Sequence, residues 1–157
     1  MKRWLTVSLV LGTALLAFDQ GVKLWVERTF ALGESVQIVD GCFALTYVRN
    51  QGAAWGMFQG AHYALAAFGA LATVLLCLFW RKLFGPSPRS LPVAGMLLSG
   101  IVGNLIDRVR LGYVVDFIHV YWQDWHFPCF NIADSAICVA VALLFLANFL
   151  PKRDPKP

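Results

Sequence analysis

The chain is short of charge. Only 14% of its 157 residues are Asp, Glu, Lys or Arg, against 59% hydrophobic, where a soluble domain is about a quarter charged and about half apolar. With a mean hydropathy of +0.64, that balance excludes an ordinary water-soluble domain and makes lipid the expected solvent. Cysteine is scarce as well. Four cysteines with no C-x-x-C pair rule out a disulfide scaffold and a zinc ribbon. Two of them, Cys42 and Cys129, leave two readings open, a bond made in an oxidising compartment or two free thiols. No H-E-x-x-H occurs, and His119 and His126 stand seven apart in an aromatic stretch, so we read them as interfacial polar residues and expect no metal and no cofactor. Ser99 lies in LLSG without the preceding Gly of a G-x-S-G site, and the one histidine within a candidate span, His62, stands at the very edge of another stretch. No Ser/Gly-rich or Pro-rich linker divides the chain, since Pro86, Pro88 and Pro92 mark only a short loop, and residues 1–157 are read as one domain. There is no basic stripe interleaved with aromatics, and hence no nucleic-acid surface.

What the sequence does contain is four long apolar stretches, near 4–26, 61–80, 91–108 and 133–150. About 20 apolar residues cross a hydrocarbon core about 30 Å thick. The third stretch is short and ends on Asn104, Asp107 and Arg108, which places that end at the interface. The first could pass for a cleaved leader, but no small-x-small site follows before Asp19, and we expect a retained helix. Lys2, Arg3, Arg81, Lys82, Arg89, Lys152, Arg153 and Lys156 flank the spans in company with a single acid, Asp154. Basic residues are held on the cytoplasmic side, so both termini and the middle loop are expected there. Residues 30–60 and 109–132 are then expected to face outward. In the first of these segments, SVQIVDGCFALTY turns at Asp40-Gly41 and reads as a hairpin. After it, NQGAAWGMFQG (50–60) is either a plain loop or a backbone able to approach a ligand closely. Tyr121, Trp122, Trp125 and Phe127 read as an interfacial aromatic belt.

Ionisable groups at membrane depth are costly and are kept paired or for function. Asp19 and Lys23 are one turn apart on one helix face and can neutralise each other, which we weigh above a catalytic use. Asn104, Asp107 and Arg108 offer an amide, a carboxylate and a guanidinium together, either to bind a substrate backbone or to tie helices. Asp116 and Asp134 flank the same interface. Two carboxyls brought together in a low dielectric cannot both ionise easily, so one keeps its proton and the pair serves as general acid and base on one water. Asp134 opening a helix is equally compatible with an N-cap. A proton-coupled carrier using such acids remains a competing reading, weakened by the lack of an inverted repeat. A non-catalytic holder of precursors is a third.

Five blocks, DQGVK (19–23), VRNQGAAWGMF (48–58), GIVGNLIDR (100–108), VVDFI (114–118) and FNIADSAI (130–137), in that order around four spans, resemble the lipoprotein signal peptidases of bacteria. The resemblance implies a membrane fold of four transmembrane helices, otherwise all-α, with a small periplasmic β-sheet or hairpin and a short mobile periplasmic helix within Ser35–Gly60. It implies catalytic Asp116 and Asp134, with Asn50, Gly52, Asn104, Arg108 and Asn131 around the site and Asp19, Lys23 and Asp107 supporting it. It further implies an enzyme of the inner membrane acting at its outer face on diacylglyceryl-modified prolipoproteins and cutting before the lipidated cysteine, in a family whose members are targets of cyclic-peptide antibiotics. The chain departs from the family in SGIVGN, where a double Gly is common, and in its Trp-rich loop between the aspartates.

Overall fold

The computed structural model describes residues 1–53, 55, 57–84 and 87–149. The basic residues Lys152, Arg153 and Lys156 and the last residue of the fourth predicted span lie outside them. Four helices, α1 (Lys2–Thr29), α2 (His62–Phe84), α3 (Leu91–Leu111) and α4 (Ile132–Phe149), fall on the four apolar stretches. Three of them are long and apolar enough to cross a bilayer, and α4 is apolar over at least Ile132–Ala147. α3 is the central helix and packs against α1, α2 and α4. No residue of α2 is buried by the protein, as expected of a helix whose apolar surface is covered by lipid.

Close packing of α3 on α4 depends on a missing side chain. A Cβ added at Gly100 would collide with the carbonyl oxygen of Ala133, so the helices meet backbone to backbone at the first turn of α4, the mode typical of membrane helices. α3 ends where Gly112 adopts φ 77° and its N–H bonds the Arg108 carbonyl, a left-handed stop that only glycine adopts cheaply.

At one end of the helices lies a four-stranded antiparallel sheet in the order β1 (Ser35–Val39), β2 (Phe43–Asn50), β3 (Val114–Trp122), β4 (Trp125–His126). The hairpin expected over 35–47 is β1–β2, turning at Asp40 and Gly41. The other two strands come from the segment read as an aromatic belt. The reason is visible in β3, whose inner half is buried on both faces, so that VVDFI shows no alternation to read. One face of the sheet carries Tyr47, Val115 and Phe117 onto Val26 of α1, forming the main apolar cluster. Asp116 lies on the opposite face by strand alternation. The short helix implied for Ser35–Gly60 would fall on residues 51–60, where Trp55 is in a 3-10 conformation, 52–53 and 57–60 form bends and turns, and residues 54 and 56 are not described. All four cysteines are free.

Candidate active site

Two aspartates from different elements line one cavity of about 550 Å³, with Asn50, Asn104 and Arg108 beside them and Phe127, Phe130, Ile137 and Val139 among its apolar walls. Asp116 is brought there by β3, paired opposite Val48 of β2 beside a register shift between Leu45 and Val48. Such irregularities re-aim side chains next to functional sites. Asp134 is the third residue of α4. It does not cap that helix, as one sequence reading allowed. Asn131 caps it: its Oδ1 accepts the Asp134 N–H at 2.9 Å while Asp134 Oδ2 accepts the Asn131 N–H at 3.2 Å, a reciprocal capping box.

The polar residues around the carboxyls are held in one orientation. A side-chain amide presents either an oxygen or an NH2, and each of three amides here has its oxygen taken by a group that can only donate. Asn50 Oδ1 accepts the Gly52 N–H at 2.9 Å, Asn131 Oδ1 accepts the Asp134 N–H, and Asn104 Oδ1 accepts the Lys23 ammonium at 3.1 Å. Their NH2 groups therefore face the carboxyls. Asn50 and Asn131 donate to the two oxygens of Asp116 at 2.9 and 2.7 Å, and Asn104 donates to Asp134 Oδ1 at 2.7 Å. Burial, and then the nearby charge of Asp134, push the Asp116 carboxyl up to about 7, against the opposing hydrogen bonds from Asn50 and Asn131. A carboxyl in that position can hold a proton at neutral pH. Burial also pushes the thiol of Cys129, another residue of the cavity wall, up to about 11 and keeps it neutral.

Behind the amides lies a buried charge cluster. Lys23, fully buried, bonds Asp19 and Asp107 at 2.9 Å each. Asp19 also accepts the Ala133 N–H at 2.8 Å, and Asp107 accepts the Val115 N–H. The cluster thus pins the start of α4 and the inner end of β3, the two backbones that carry the aspartates. The i, i+4 pairing expected of Asp19 and Lys23 is present, and Asp107 joins it. Gln20, which the sequence reading passed over although it lies inside DQGVK, completes the cluster by donating to Asp19, Asp107 and the Gly103 carbonyl.

Arg108 ties the 50–60 loop to α3, donating from Nη2 to the Gly52 carbonyl at 3.0 Å, while its buried Nε has no partner among the described residues. Gly52 is required there, because a Cβ would overlap the Met57 carbonyl oxygen. The belt aromatics are not idle. Phe127 stands edge-on to Trp55 at 5.6 Å and both line the cavity. His119 and His126 share a hydrogen bond of 3.0 Å on the sheet, away from these residues. A second groove of about 370 Å³ reaches Asn104, Arg108 and Asp134 from between α2 and α3, lined by Leu65, Phe68 and Ile101.

The sequence model of the family described as signal peptidase (SPase) II matches residues 11–150. The chain is 42% identical over 153 residues to a lipoprotein signal peptidase of Geobacter sulfurreducens, covering 96% of this chain and 94% of the relative. To the lipoprotein signal peptidase of Geobacillus thermodenitrificans it is 43% identical over 141 residues, covering 89% and 88%. Its fold matches a solved bacterial membrane enzyme with a TM-score of 0.85 at 29% identity, over 96% of this chain and 94% of that one. A second bacterial membrane enzyme gives a TM-score of 0.80 at 31% identity, covering 92% and 94%.

Proposed function

The chain belongs to the signal peptidase II family, a multi-pass membrane peptidase that takes signal peptides off prolipoproteins, and on that premise we propose that Asp116 and Asp134 form the catalytic pair. The observation that carries the reading is the ring of three amides, each turned by an obligate donor so that its NH2 faces a carboxyl. Asp134 sits in the first turn of α4, where the helix dipole and the Asn131 N–H favour an anion. Asp116, buried on the sheet, is the partner that keeps the proton.

The ionised Asp134 takes a proton from water, whose oxygen bonds to the carbonyl carbon preceding the lipidated cysteine, while Asp116 gives its proton to the carbonyl oxygen. The C–N bond then breaks, the cysteine nitrogen takes a proton from the pair, and the signal peptide leaves with a new carboxyl group. Asn104 is committed to Asp134, so the guanidinium of Arg108, which lines the cavity, is the donor left to orient the peptide or the developing oxyanion. No cofactor enters this chemistry.

A diacylglyceryl-modified precursor is anchored in the outer leaflet, and its scissile bond lies near the interface. The charge distribution supports placing both termini on the cytoplasmic side of the inner membrane, α4 as a fourth span and the sheet outside. The two apolar grooves that meet at Asp134 then open toward lipid, where the signal helix, the acyl chains or a cyclic-peptide antibiotic would enter. The test is cleavage in detergent of a lipidated and an unlipidated prolipoprotein by the wild type, Asp116→Asn and Asp134→Asn. Cleavage of the lipidated form by the wild type alone is expected. Turnover by either variant would move the chemistry elsewhere.

A further inference from the structure

A third cleft, of about 220 Å³, opens from Asp116 on the side away from the helices and is lined by Val48, Asn50, Trp55, Gln59, Pro128 and Cys129. It shares Asn50, Trp55, Asp116, Pro128 and Cys129 with the main cavity, so a peptide lying across the dyad passes directly into it. Its polar groups are almost all engaged. The NH2 of Asn50 is committed to Asp116, and Arg49, which borders the cleft, holds its guanidinium over the rings of Tyr47 and Tyr113 at 5.5 and 4.9 Å. Gln59 is the exception: exposed, its amide makes no hydrogen bond among the described residues.

The geometry points to this cleft as the subsite for the residue that follows the lipidated cysteine, with Gln59 as its specificity-determining side chain. The inference rests on the cleavage reaction proposed above. The scissile carbonyl must reach Asp116 and Asp134, and the grooves toward α2 and α4 are walled by Leu65, Phe68, Ile137 and Val139, which suit a signal helix and acyl chains and would strand a polar backbone. The chain on the other side of the bond belongs to the mature protein and must leave toward water. The cleft at Gln59 is the polar way out of the dyad.

A neutral amide at this place adds no charge preference of its own to that of Arg49 at the border of the cleft. A charge at position 59 should create a preference. We expect Gln59→Lys to raise the ratio of kcat/KM for the Asp substrate over the Lys substrate, and Gln59→Glu to lower it, with about fivefold or more between the two variants, the size of a partly exposed ion pair counted in both directions. The substrates are diacylglyceryl-modified peptides differing at that one residue, cut by the full-length protein in detergent. Ratios unchanged in both variants, with the wild type cleaving normally, would overturn the subsite and leave the cleavage reading intact. No cleavage by the wild type would remove both. A second measurement is independent of turnover: with Asp134→Asn, a diazirine placed on the residue after the cysteine should crosslink to residues 48–50, Trp55, Gln59 or 128–129. Crosslinks confined to α2 and α4 would refute the assignment.

Discussion

Lys23 offers the sharpest test of how the site is held. Its ammonium is fully buried and bonded to Asp19, Asp107 and Asn104 at 2.9, 2.9 and 3.1 Å. In Lys23→Met the chain keeps its apolar volume, but two carboxylates lose their cation and Asn104 loses the donor that fixes its amide. Removing one partner of a buried charge pair costs about 3–5 kcal/mol, because the charge left behind is uncompensated. At about 2–4 °C per kcal/mol for a chain of this size, the unfolding midpoint in micelles, read from tryptophan fluorescence, should fall by about 6–20 °C. Neutralising a partner as well, in Lys23→Met with Asp107→Asn, should restore part of that loss, whereas independent sites would add their costs. A single variant within about 2 °C of the wild type, or strict additivity in the double variant, would refute the view that this cluster is the keystone of the site.

The carboxyl of Asp116 is pushed up to about 7 by burial and the charge of Asp134. As the proton-holding partner proposed above, it would lose its proton as pH rises through that value, so kcat/KM should decline toward tenfold per unit on the alkaline side. The hydrogen bond from Asn50 favours the ionised form, and Asn50→Ala should move that limb to higher pH; a shift to lower pH would contradict the assignment. Gly52→Ala pushes the loop off the Met57 carbonyl and withdraws the acceptor of Arg108. The expected result is a loss of about tenfold or more in kcat/KM from misplacement alone, with little change in unfolding temperature. Gly100→Val forces α3 away from Ala133 and should cost about 1–3 kcal/mol by overpacking, visible as a lower midpoint in the same fluorescence assay.

The helices were legible because apolar length needs no partner to be recognised, and Asp116 and Asp134 were legible as candidates because both lie beside one interface, with a helix cap left open for Asp134. The inner half of β3 was not legible, since a strand buried on one face by Val26 and on the other by the cavity loses the period-two pattern. Nor was the division of labour among the polar residues. Whether Asn104 bonds a substrate or Asp134 depends on which of its atoms Lys23 occupies, a contact across 81 positions of chain. Asn131 and Asp134 were both visible at the start of α4, but which of them caps the helix depends on where the helix begins, Ile132 or three residues later. Gln20 was in view inside DQGVK and went unread because a neutral amide between two charges leaves no charge imbalance to notice.

The bond from Asp19 to the Ala133 N–H joins the first helix to the last across 114 residues. During synthesis α1 is complete long before α4 leaves the ribosome, and until α4 docks that oxygen of Asp19 lacks its native donor. The carboxyl at position 134 itself arrives only with α4. On the pairing proposed above, a nascent chain in the membrane therefore holds only one of the two carboxyls until α4 is in place.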